Sequence, residues 1–140
     1  QRLEGRRLIF TNGSRRHAER VAERVGILDL FEDISSIETC EYTPKPTAFA
    51  FDRMISRHGV SADVSAMFED MHVNLEVPHT LGMTTVLVHP ESGEHPWSSE
   101  SRSPSPSVPD YVHHTTTDLA AFLEAVATPP GYQAAGDTRS

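Results

Sequence analysis

The chain has a single cysteine, Cys40, in 140 residues, so it can build neither an internal disulfide framework nor a thiolate zinc site. That usage fits a reducing, cytoplasmic setting. Long apolar runs are missing too. No window approaches the roughly 18 apolar residues that a membrane-spanning helix takes. The opening QRLEGRRL has no apolar core of a secretion signal behind its charges. A chain with no membrane partner is expected. Positive charge is scarce: twelve Lys and Arg stand against twenty Asp and Glu, for a formal net charge of −8 and a pI near 5.4. Neutralising phosphates takes clustered cations, and no basic stripe stands out, so nucleic acid is not an expected partner. Mean hydropathy is low, at −0.39, which predicts one ordered domain carrying polar, unstructured segments.

What is present alternates. Residues 7–12 (RLIFTN) form an apolar run ending at the turn signal Asn12-Gly13, the pattern of a buried strand and a tight loop. Ser14 suits an N-cap for a helix with Ala18, Val21, Ala22 and Val25 on its apolar face and Gly26 as its stop. A weaker strand is predicted at Ile34–Ile37. A loop through Pro44, Lys45 and Pro46 follows, with Pro46 in the first turn of a second helix that carries Phe51, Met54, Ile55 and His58 and closes at Gly59. Residues 64–69 read as a third strand, 72–81 as a third helix stopped by Gly82, and 84–89 (TTVLVH) as a β-branched strand. Strands and helices alternating at this spacing predict a parallel α/β sheet. After Pro90 the composition changes to a Ser/Pro-rich flexible loop over 91–109. A strand at Tyr111–His113 and a helix at Thr117–Val126 complete the same core over 110–127, and 128–140 is expected to be a disordered tail.

Three features fall where α/β sheets carry their sites, at the C-terminal ends of strands. Thr11, Asn12 and Gly13, leading into a helix, offer a hydroxyl and backbone amides to a phosphate oxygen; a plain capped turn is the alternative. Lys45 is the only lysine against eleven arginines, held between two prolines that restrict its backbone. A sequence that writes Arg elsewhere but Lys here points to a compact ammonium at a fixed place; a solvated turn lysine is the alternative. Glu69 and Asp70 end an apolar strand, and Asn74 follows in the next helix. Paired carboxylates at such a position call for a cation, and hard oxygen ligands suit Mg²⁺, although an acidic first turn at the helix dipole would read the same way. The eight histidines show no metal-ligand spacing and are expected at surfaces or edges. Cys40 is expected to be a small buried apolar residue.

Taken in order, FTNGS at 10–14, the Lys45 loop and FEDMHVNLEVPHTLGMTTVLV at 68–88 resemble the haloacid dehalogenase-like hydrolase superfamily. The likeness is nearest to bacterial pyrimidine 5′-nucleotidase-like members. The resemblance implies a Rossmann-like core and a Mg²⁺-dependent phosphohydrolase that works through an aspartyl phosphate on a small phosphorylated metabolite, a nucleoside 5′-monophosphate. It implies that Thr11, with Asn12 and Gly13 beside it, binds the transferring phosphoryl group and that Lys45 steadies the phosphorylated intermediate. Asp70, then Glu69 and Asn74, would hold Mg²⁺.

The family's first motif, DxDx[TV], supplies the nucleophile, and no two aspartates here stand two apart. The resemblance therefore implies an incomplete core that lacks the central nucleophile strand and the substrate-selecting cap. These are expected on a segment before Gln1, so that the missing N-terminal half is itself a partner. The isolated chain is then expected to be inactive. The alternative is a non-catalytic remnant that binds phosphate or a partner protein.

Overall fold

Leu8, Ile9 and Phe10 form the first strand, β1 (Leu8–Phe10), which pairs in parallel with β2 (Asp33–Ser35) in the register Leu8↔Asp33, Ile9↔Ile34, Phe10↔Ser35. A second parallel set joins β3 (Ala66–Glu69), β4 (Thr84–Val88) and β5 (His114–Thr116) in that order. The computed structural model describes residues 3–89 and 108–127. Most of the Ser/Pro-rich stretch and the C-terminal tail lie outside these residues. Among the described residues, β1 and β3 are not paired with each other, so the strands form a two-stranded and a three-stranded sheet. The architecture is α/β with parallel strands, as the alternating pattern predicts, and agrees with a Rossmann-like core. No helix among the described residues is long and apolar enough to cross a membrane.

Helix α1 (Arg15–Arg24) starts at Ser14, whose Oγ accepts the His17 N–H at 3.2 Å, and stops before Gly26, whose φ of +73° other residues adopt only with strain. Its buried positions are Ala18 and Ala22; Val21 and Val25, expected on the apolar face, are 49% and 61% exposed. Two alanines four apart are enough to seat a helix on a sheet, and the valines fall to one side of that contact. The solvent face instead carries Arg16, Arg20 and Arg24, all exposed. This is a basic stripe that the overall acidity of the sequence concealed.

Helix α2 (Ala48–His58) is capped by Thr47, and the cis Lys45–Pro46 bond precedes it, so Pro46 lies outside the first turn where it was expected. Gly59 closes the helix at φ +59°. Phe51 and Met54 enter the core with Met67, Leu75 and Met83, and Phe10, Leu87, Tyr111 and Val112 pack around them. Phe10 meets Phe51 edge-on, with centroids 5.2 Å apart. Phe68, adjacent to Met67 and so on the opposite face of β3, meets Phe122 of α4 (Leu119–Ala127) at 6.1 Å.

The single helix expected over 72–81 is split into a 3-10 turn at His72–Leu75 and the short α3 (Glu76–Thr80). Pro78 explains the split. A continuous α-helix would require its N–H to reach the Asn74 carbonyl, and proline has none; in the first turn of α3 the missing donor costs nothing. The last strand starts at His114 rather than Tyr111, because Tyr111 and Val112 are used for core packing before the ladder with Val86 begins.

One histidine departs from the expected surface placement. His58 is buried, its Nδ1 lies 3.8 Å from Asp33 Oδ2, and among the described residues its Nε2 has no hydrogen-bond partner. Arg6 closes the same corner, donating to the His58 carbonyl at 2.6 Å and pairing with Glu32. Burial pushes the His58 imidazole below the usual histidine range, although Asp33 pulls the other way. A folded pKa below the unfolded one means that the unfolded chain takes up a proton the native chain refuses. Stability is therefore expected to fall as pH drops below the unfolded value of about 6.5. Urea midpoints compared at about pH 7.5 and 5.5 should show this fall, and His58→Gln should flatten it.

Candidate active site

The C-terminal ends of β1 and β3 face one cleft of about 360 Å³, lined by Phe10, Thr11, Asn12, Lys45, Phe68, Glu69, Asp70, Met71 and Asn74. The chain leaves β1 through Thr11, whose N–H bonds the Ser35 carbonyl at 2.9 Å and so extends the β1–β2 ladder by one residue. Thr11 Oγ1 accepts the Gly13 N–H at 3.0 Å. A Cβ at Gly13 would lie 3.3 Å from that oxygen, close enough to disturb the turn. The Gly13 amide is therefore engaged inside the loop, and the donor that Thr11 brings to the cleft is its own hydroxyl proton.

Asn12 does something the sequence did not signal. Its Oδ1 accepts the Lys45 N–H at 2.7 Å and its Nδ2 donates to the Lys45 carbonyl at 3.1 Å. This two-point contact fastens the β2–α2 loop to the end of β1. A side-chain amide is one of the few groups that can donate and accept side by side, so Asn12 positions Lys45.

The Lys45 side chain is buried, and its Nζ donates to the Phe10 carbonyl at 2.9 Å and to Glu69 Oε1. The ammonium also sits 4.8 Å from the centre of the Phe10 ring, a favourable placement over an aromatic face. Two of its three N–H donors are thus committed. Glu69 is buried as well and is saturated: Oε1 accepts from Lys45 and from Asn74 Nδ2 at 3.1 Å, and Oε2 accepts the Asp70 and Met71 amides at 3.1 and 3.3 Å.

Those contacts change the expected metal set. Glu69 and the Asn74 amide nitrogen spend their polar atoms on each other and on Lys45, whereas Asp70 is exposed and lines the cleft. Among the described residues no three His, Cys, Asp or Glu side chains gather as a metal-binding group. Mg²⁺ takes one or two carboxylates and completes its octahedron with water and phosphate oxygens. Asp70 fits one such place, and the arrangement of Glu69 fits the role of holding Lys45. The Phe10 carbonyl and ring are part of the site too. No pattern could have announced them, because a backbone oxygen carries no residue identity. Cys40 is buried beside Ala50, as expected of a small apolar residue.

Every residue named from the sequence except Gly13 lines this one cleft, and Gly13 supports it from behind. No curated protein matches the chain. A family model described as haloacid dehalogenase-like hydrolase matches residues 1–77, a span that takes in β1, the Lys45 loop, Glu69, Asp70 and Asn74. It covers more than half of the sequence, and the chain belongs to the haloacid dehalogenase-like hydrolases.

Proposed function

We propose that this chain forms the phosphate-binding side of a Mg²⁺-dependent phosphomonoesterase acting on a nucleoside 5′-monophosphate, with the attacking carboxylate carried by a strand outside these residues. One observation supports it above the others. A hydroxyl (Thr11), an ammonium (Lys45) and a carboxylate (Asp70) converge on one cleft. Among the described residues β1 and β3 each pair along one edge only, and a parallel strand seated between them would satisfy their remaining ladder groups and bring its C-terminal end to Lys45.

In this reading the incoming carboxylate forms an O–P bond as the ester P–O bond breaks, and the leaving oxygen takes a proton. Water then attacks the acyl phosphate, releasing phosphate and regenerating the carboxylate. The Lys45 ammonium opposes the charge that spreads over the phosphoryl oxygens, and the Thr11 hydroxyl donates to one of them. Asn12 and Glu69 hold Lys45 from its backbone and its head. A Mg²⁺ ion on Asp70, when bound, would add positive charge beside the same oxygens.

The purified chain should be inert toward p-nitrophenyl phosphate. Supplying a segment with an apolar strand ending in DxDx[TV] should produce Mg²⁺-dependent hydrolysis of that ester and of nucleoside 5′-monophosphates. Robust Mg²⁺-dependent turnover by the chain alone would overturn the placement of the nucleophile. Failure of the supplied segment to bind or to activate would overturn the strand seat.

A further inference from the structure

Charge is distributed unevenly in this acidic protein. Seven of the eleven arginines, against three glutamates, fall in the first 24 residues. Four of those arginines are on α1. Arg15 is engaged with Glu19 at 2.9 Å and with Asp33 at 2.8 Å. Arg16, Arg20 and Arg24 are exposed, and among the described residues none forms a salt bridge.

Their spacing makes a surface. Residues four apart on a helix lie about 40° apart around its axis, so Arg16, Arg20 and Arg24 form one ridge. His17, Val21 and Val25 form the next. The two valines are 49% and 61% exposed, and just beyond the helix Ile27 and Leu30 are 37% and 40% exposed. A solvent-facing helix ordinarily shows polar residues on this side. Here an apolar ridge runs beside a cationic one, with a groove between them of the kind into which a second helix lays its own row of side chains.

We infer that the Arg16–Arg20–Arg24 and Val21–Val25 ridges of α1 form a docking face for an acidic amphipathic helix of a partner protein. The partner's apolar row would settle beside the two valines, with carboxylates at four-residue intervals meeting the arginines. Charge complementarity selects that occupant. A nucleic-acid polyanion would meet the arginines and leave the valines uncovered. A carboxylate row beside an apolar row uses both ridges. None of these α1 residues lines the cleft, so the inference stands or falls separately from the hydrolase reading.

The probe is a synthetic amphipathic helix with glutamates at i, i+4 and i+8 beside a leucine row, titrated into the ¹⁵N-labelled 140-residue chain. Expected are amide shift changes concentrated on residues 16–27. Affinity should weaken with salt and drop about tenfold in Arg20→Glu/Arg24→Glu, since exposed ion pairs contribute modestly and their reversal adds repulsion. Val25→Ser, which keeps the charges, should weaken binding as well. A lysine-for-glutamate version of the peptide should not bind. Unchanged affinity in the double variant, or shifts elsewhere on the surface, would overturn the inference. Stronger binding of a single-stranded RNA oligonucleotide at α1, or self-association of the peptide-free chain through α1, would overturn the choice of partner.

Discussion

Replacing Lys45 by Met while Glu69 remains should destabilise the chain by about 3–5 kcal/mol, because it strands a buried carboxylate without its counter-charge. Both side chains are more than nine-tenths buried, so solvent gives little compensation. Glu69 would keep its Asn74 and backbone donors, which sets the loss nearer the lower figure. The companion variant separates charge from packing: Lys45→Met with Glu69→Gln removes both charges and should recover most of the loss. Urea unfolding of the three proteins measures it. A Lys45→Met midpoint equal to that of the unmodified chain would mean that the pair contributes nothing to the fold.

Glu69 and Asp70 are neighbours in sequence, and their substitutions should have opposite signatures. In a hydrolytically competent assembly, Asp70→Asn should lower turnover by roughly 10² to 10⁴, the range expected when several kcal/mol of transition-state charge stabilisation is lost. The unfolding midpoint should barely move, since the side chain is exposed. Glu69→Gln should shift the midpoint strongly, because it removes the counter-charge of a buried ammonium. Measuring turnover, Mg²⁺ dependence and stability on both variants decides between the roles. An Asp70→Asn protein with unaltered Mg²⁺ dependence would remove Asp70 from the metal site.

The sequence was most legible where a single residue controls a backbone conformation. Ser14, Gly26 and Gly59 mark helix ends that the structure keeps, because hydroxyl caps and left-handed stops act locally. Legibility failed where a contact partner lies far along the chain. Nothing near Val21 says that Ala18 and Ala22 alone meet the sheet, and nothing near Tyr111 says that its ring is needed in the core 36 residues after Leu75. Pro78 could have been read correctly, since its missing N–H forbids the continuous helix that the apolar spacing suggested. In the site, the residue types named from the sequence gather at one cleft, but their contacts differ from those expected. Asn12 and Glu69, expected on phosphate and metal, instead hold Lys45 from two sides. Whether a polar atom faces a ligand or a neighbouring residue depends on long-range geometry that spacing cannot encode.

The Lys45 ammonium touches the last carbonyl of β1 and the last carboxylate of β3, two strands that belong to different sheets among the described residues. It is therefore a rivet between two strand assemblies as well as a charge in a cleft. Each assembly has its own ladder and can open by itself in native-state fluctuations, and every such opening at the seam dismantles the corner around Lys45. An anion that engages Lys45 binds only the closed form, so its affinity is discounted by the fraction of time the seam is open. By the same linkage, its binding slows amide exchange in both assemblies at once. Occupancy of the cleft and cohesion of the two sheets are thus one equilibrium, observed from two ends.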